Sequence, residues 1–299
     1  MRAGLAVVLG AWVVLGAAPA SGQDKLVDKI TQALPDKAPA QPKQPRKLLI
    51  FSKTAGFRHA SIPVGIKAIT MMGDKTGAYT AFATEDESYF APDKLKAFDA
   101  VLMLNTTNEI FRPKDTKKGE TDDREEMLKK SLVDFVSGGK GLVGIHAACD
   151  TYHKWADYNR MMGGAFVAHP WNAGSTVSIK NVEPKNPLNA AFDGTGFDIK
   201  DEIYVFRADT ALPTERKYLL TLDEGKMDLK KGNRKDGLYP ISWVSTFGKG
   251  RTFYCSLGHN NEIYMTPAVM KHYLAGIQYA FGDLKADATP SVPSSNGAK

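Results

Sequence analysis

Apolar positions along the chain follow two alternating rhythms. Lys47-Leu-Leu-Ile-Phe-Ser52 is a short continuous apolar run, as expected of a strand buried on both faces. Ile62, Ile66, Ile69 and Met72 then recur at helical spacing, with Ser61 placed to cap the helix and Pro63 in its first turn. Thr80 to Thr84 and Ala100 to Leu104 read as the next strands. Asp123 to Phe135 reads as a helix with Met127, Leu128, Leu132 and Phe135 inward. Gly138-Gly139 ends it, and Gly141 to Ile145 forms a fourth strand. Ser175 to Tyr254 is richer in strand-like runs and predicts antiparallel additions, and Met265 to Phe281 closes as a helix. Strands and helices alternating at this spacing predict an α/β domain whose mainly parallel sheet is covered on both faces.

The ends of the chain break these rhythms. Arg2, the apolar run Leu5 to Leu15 and the small residues of Ala18-Pro19-Ala20 read as a signal peptide over residues 1–22. That implies export to the periplasm or the exterior; a retained N-terminal anchor is the alternative. Residues 23–45 hold a short amphipathic helix, with Leu26, Val27, Ile30, Ala33 and Leu34 on one side, and then a stiff linker built on Pro35, Pro39, Pro42 and Pro45. Residues 46–283 form the folded body. Residues 284–299 are rich in Pro, Ser, Gly and Ala and read as a disordered tail. No later segment reaches the ~18 apolar residues of a bilayer span, so the mature chain is expected to be soluble.

Composition excludes several classes. An apolar fraction of 43% is too high for general disorder, and two cysteines, Cys149 and Cys255, are too few for a disulfide scaffold or a Cys-rich zinc site. Whether the two pair is open at this level. The net charge of +6 invites a nucleic-acid reading, but the lysines are interspersed with acids, as between Lys114 and Lys130, which describes a solvated face. No nucleic-acid partner is expected.

The six histidines are more informative. In parallel α/β sheets, ligands gather beyond the carboxyl ends of the strands. Lys53-Thr-Ala-Gly-Phe-Arg-His-Ala-Ser61 follows the first strand, Asn105-Thr-Thr-Asn-Glu109 the third and His146-Ala-Ala-Cys-Asp150 the fourth. Leu257-Gly-His-Asn-Asn-Glu262 follows the strand Arg251 to Ser256, and His169 lies in Gly163-Gly-Ala-Phe-Val-Ala-His-Pro170. His153 and His272 read as surface or helix residues.

These segments, with Asp201-Glu-Ile-Tyr204 and Trp243 through Gly248-Lys-Gly-Arg251, resemble the trehalose-utilisation (ThuA-like) family, a branch of the class I glutamine amidotransferase-like superfamily. The resemblance spans about residues 47 to 282. It implies a flavodoxin-like three-layer sandwich with a mainly parallel central sheet plus antiparallel strands, and a role in the catabolism of disaccharides by way of keto-sugars. Amidotransferases carry a nucleophilic cysteine in a Gly-x-Cys-x-Gly turn. The matching turn here reads Gly144-Ile-His-Ala-Ala148, so glutaminase activity is not expected. Cys149, slightly later, reads as a packing residue.

Imidazole serves as base, metal ligand or hydroxyl partner. His59, His146, His169 and His259 form one candidate set for a divalent ion, Zn²⁺ or another first-row metal; a metal-free polar pocket is the other reading. For chemistry on a keto-sugar, whose carbonyl acidifies neighbouring C–H bonds, His146 and His259 are the expected base and acid, and Glu109 orients an imidazole, with Glu202 as a lesser candidate. Lys53, Thr54, Arg58, Asn105 and Asp150 are expected to bind a small carbohydrate, and Trp171, Tyr264 and Trp155 to stack on it. The alternative is a carbohydrate-binding module without catalysis.

Overall fold

The computed structural model of the protein describes residues 22–117, 120 and 122–292. In chain order its elements are α1 (Gly22–Ala33), β1 (Lys47–Phe51), α2 (Ile62–Thr76), β2 (Thr80–Thr84), α3 (Pro92–Leu95), β3 (Ala100–Leu104), α4 (Asp123–Ser137), β4 (Gly141–Ile145), α5 (Ala156–Met162), β5 (Phe166–Trp171), β6 (Thr176–Asn181), β7 (Phe197–Lys200), β8 (Ile203–Phe206), β9 (Lys217–Leu222), β10 (Pro240–Phe247), β11 (Gly250–Cys255) and α6 (Pro267–Phe281). Nine strands form one sheet in the order β2-β1-β3-β4-β11-β10-β9-β6-β7. The first five are parallel, and every pairing from β11 to β7 is antiparallel. β5 and β8 make a separate antiparallel pair. The parallel half has the flavodoxin-like order, in which the chain reverses direction of travel between β1 and β3.

Strand alternation divides the interior into two cores. Leu48 and Ile50 of β1, with Leu102 and Leu104 of β3, join α1, α2 and α6 on one face. Leu49 and Phe51, with Val101 and Met103, join α4 and α5 on the other. The continuous apolar runs arise because both faces are covered.

Several expectations change at this scale. Met127 is 40% exposed, because its neighbour Leu128 takes the buried stripe of α4 and adjacent residues on a helix diverge by about 100°. Ser61 sits at the start of α2 but caps nothing; its hydroxyl donates to the Gly258 carbonyl at 2.9 Å. The proline-rich segment is tied to the body: the backbone of Ala40 exchanges two hydrogen bonds with the Gln278 side chain, and Arg46 pairs with Asp283 at 2.6 Å. Residues 284–292 of the expected disordered tail are also held, with the amides of Ser291 and Val292 donating to the carbonyls of Arg216 and Pro213, each at 2.9 Å. Backbone groups can order a segment that lacks apolar side chains, and composition does not report them. The signal-peptide reading lies outside the described residues but for Gly22. No helix among those described is long and apolar enough to cross a membrane.

Candidate functional site

Loops after β1, β3, β4 and β11 converge at one sheet edge, and the β7–β8 turn meets them there. His146 begins the turn directly after β4 with φ +47°, a left-handed conformation that costs about 1–3 kcal/mol and persists only when its surroundings enforce it. They do: Tyr254 donates to the His146 carbonyl at 2.7 Å, and the ring Nδ1 lies 2.8 Å from the Ser256 carbonyl. A carbonyl accepts only, so Nδ1 carries the proton and Nε2 presents its lone pair. That Nε2 is buried without a hydrogen-bond partner, 3.6 Å from Glu202 Oε1.

His59, from the loop after β1, is buried and its Nδ1 also lacks a partner. The rings of His59, His146 and His259 stand nearly perpendicular to one another, with centroids 4.9, 5.1 and 5.4 Å apart. Glu202 reaches the same point from the β7–β8 turn, its Oε2 3.9 Å from His259 Nε2. One donor atom from each of His59, His146, Glu202 and His259 lies within 4.8 Å of every other. Buried polar atoms in native proteins are almost always satisfied, so two orphaned imidazole nitrogens in one cluster, one of them 3.6 Å from a carboxylate, mark a group that could hold a metal ion.

Asp201 fixes the His259 loop from below. Its fully buried carboxylate accepts the backbone N–H groups of Gly258 (2.7 Å), His259 (3.3 Å) and Asn260 (2.8 Å). The Gly258 carbonyl meets three donors: Ser61, Asn105 Nδ2 at 3.2 Å and Tyr264 at 3.2 Å. Gly258 has φ +137°, and a Cβ there would stand 2.7 Å from Ile145 Cγ2. Only glycine fits the turn that delivers His259.

Burial, followed by the neighbouring imidazoles, pushes His59 down to about 2, which keeps it neutral and able to bind a metal. Burial raises Glu202, but the imidazoles of His146, His259 and His169 gathered around it outweigh this and hold it below the usual range. Burial dominates at Asp201 and leaves it raised, although His146 and the three amides oppose it. Cys149 is buried and its thiol pushed up by desolvation, which suits packing and not nucleophilic attack; it and Cys255 are both free thiols.

The other expected residues scatter. His169 is half-exposed, its Nδ1 3.3 Å from Glu202 Oε2; it adjoins the four-residue group without belonging to it. Glu109 is exposed, and none of the cluster's contacts involves it. Lys53 pairs with Glu87 at 2.8 Å and Arg58 with Glu85 at 2.7 Å, while Thr54 bridges to Thr107. Asp150 holds His153 at 2.6 Å. Asn105 is buried beneath the cluster, bonded to Ser61 at 3.0 Å. Trp171 is buried against Tyr239, Tyr264 is fully buried, and Trp155 stacks on Tyr158; the first two cannot face a sugar, because core packing consumed their rings. His272 lies on α6 but is fully buried, not surface. Glu202 turns out to be central, and Asp201 and Ser256 had no reading as site residues. The adjacent acids Asp201-Glu202 after a strand were the available signal.

The fold and the histidine-lined strand edge define a protein of the flavodoxin-like α/β class with its site at the topological switch. The sequence matches the family model for ThuA, trehalose utilisation, over residues 47–280, and the chain belongs to that family. Among solved structures it is similar to a ThuA-like protein from Bacteroides uniformis, with TM-score 0.60 and 21% identity over 80% of this chain and 93% of that one. One from Parabacteroides merdae gives 0.54 and 17%, over 85% and 96%. A Salmonella typhimurium protein described as cytoplasmic gives 0.50 and 10%, over 78% and 99%. At these identities the likeness is one of fold. No curated protein sequence matches the chain.

Proposed function

We propose that this chain is an exported enzyme acting on keto-glycosides or disaccharides, with His59, His146, His259 and Glu202 holding one divalent first-row ion such as Zn²⁺. The observation that supports it most directly is the pair of buried, partnerless nitrogens, His59 Nδ1 and His146 Nε2, in a cluster that Glu202 completes. Three imidazoles and a carboxylate suit such an ion, and the Ser256 carbonyl supplies the second hydrogen bond that fixes a metal-binding histidine. Bound there, the ion would place positive charge beside the oxygen of a keto-sugar. His146 and His259, expected as base and acid, are then ligands, and proton transfer falls to His169. Its half-exposed ring sits beside Glu202 and is free to meet a substrate C–H or the leaving glycosidic oxygen. Membership of a trehalose-utilisation family supports the choice of sugar. Glutamine hydrolysis is not expected, since the turn offers His146 and the nearby thiol is buried.

Metal analysis of the purified protein tests this. About one first-row ion per chain is expected, lost in His59→Ala and His146→Ala. Elimination or hydrolysis of 3-keto-trehalose should stop on chelation and return when the ion is restored. Turnover by a metal-free preparation would overturn the metal's role. Saccharide binding without turnover of any keto-glycoside would leave a binding module. An N-terminus beginning near residue 23 on the mature protein would support export.

A further inference from the structure

We infer that Phe57 is the platform on which a sugar ring stacks at the mouth of the histidine cluster, an inference that rests on the carbohydrate reading above. Phe57 is 67% exposed, more than any other large apolar side chain described. A single exposed apolar residue usually signifies little. What sets this one apart is its mounting and its neighbour. The loop that carries it is anchored on both sides: the amide of Ala55 donates to the Thr107 carbonyl at 2.9 Å and that of Gly56 to Thr107 Oγ1 at 3.1 Å. The same hydroxyl donates to the Phe57 carbonyl at 3.0 Å. Gly56 packs so closely that a Cβ would lie 2.3 Å from Asn108 Nδ2. The ring is therefore held outward by an ordered backbone and is not swinging on a loose loop.

Its neighbour is the site. Phe57 meets the edge of the buried His59 ring, centroids 4.8 Å apart at 84°. From there ring contacts continue through His146 to Tyr204 at 4.5 Å and on to the half-buried Phe166 at 4.3 Å. Phe57 is thus the exposed end of an aromatic belt that passes through the polar cluster. A pyranose has one face of C–H groups and a rim of hydroxyls. An exposed phenyl ring against His59, whose own ring meets His146 and His259, complements both, the phenyl taking the apolar face while the polar cluster meets the rim. Trp171 and Tyr264, buried in the core, leave this role unfilled.

The test is calorimetric titration of 3-keto-trehalose and of trehalose into wild-type protein and into Phe57→Ala, Phe57→Leu and Phe57→Tyr. Loss of the stacking face in Phe57→Ala should weaken binding roughly 3- to 10-fold, about 0.6–1.4 kcal/mol. Phe57→Leu should weaken it nearly as much, and Phe57→Tyr should restore it. Thermal midpoint should match wild type in all three, since a ring this exposed adds little to the core, and bound metal is measured in each because the ring touches His59, so that binding is compared at equal occupancy. Equal binding by wild type and Phe57→Ala overturns the platform alone. Wild-type protein that binds neither sugar overturns the carbohydrate reading and the platform with it.

Discussion

At the scale of single residues, the site is governed by which atoms are already committed. His146 can offer Nε2 because Nδ1 is bonded to Ser256, and His259 stands where it does because Asp201 holds three consecutive amides. Asp201 is therefore a positioning residue, and Asp201→Asn is a sharp probe of it. The amide sets a donor against backbone donors and should lower stability by about 1.5–3 kcal/mol, the range for hydrogen bonds to a charged group. Metal affinity should fall about 10-fold or more, as when an outer support of a ligand is removed. Denaturant unfolding and metal titration check the two effects; unchanged metal affinity would show that the His259 loop holds its place unaided. The sequence exposed the histidines but not these commitments. Asp201 and Ser256 act through short-range geometry between loops 50 or more residues apart, which no local spacing encodes.

Among the elements, the periodicities of β1, β3, α4 and β4 were legible because each reflects a local rule that burial on both faces enforces. α1 was legible as amphipathic, but its partner was not. Ile30 is fully buried in the core shared with α2 and α6, so α1 belongs to the body and is no mere tether. Ile30→Ala should cost about 2–5 kcal/mol in denaturant unfolding, the range for truncating a buried isoleucine. A loss below about 0.5 kcal/mol would show the helix to be dispensable. Ser61 shows the reverse error: a residue type favoured at helix starts was taken up by a tertiary hydrogen bond to Gly258.

For the whole molecule, acid stability follows from a histidine far from chemistry. His272 on α6 is fully buried between the Leu188 carbonyl and Ser242, and desolvation lowers it from 6.5 to about 4. Between those values the unfolded chain binds a proton that the folded chain does not. Stability is thus present above pH 6.5 and falls as pH drops towards 4, by about 1.4 kcal/mol per pH unit from this group. Unfolding measured from pH 7 to pH 4 should show a steeper slope still, because buried His59 adds to it, and His272→Gln should remove one proton's worth. An unchanged slope would assign the acid sensitivity elsewhere. The sequence by itself determined the layered α/β plan, the strand ends where polar loops collect and the absence of a nucleophilic cysteine at the β4 turn, because hydrophobic period and the succession of elements along the chain are local properties. Only the tertiary structure decided that His59, His146 and His259 meet Glu202 while His169 stays beside them and Glu109 outside. Convergence depends on loop backbones such as the left-handed His146 and on a carboxylate delivered by the antiparallel half of the fold, and burial then fixes which nitrogens are left without partners.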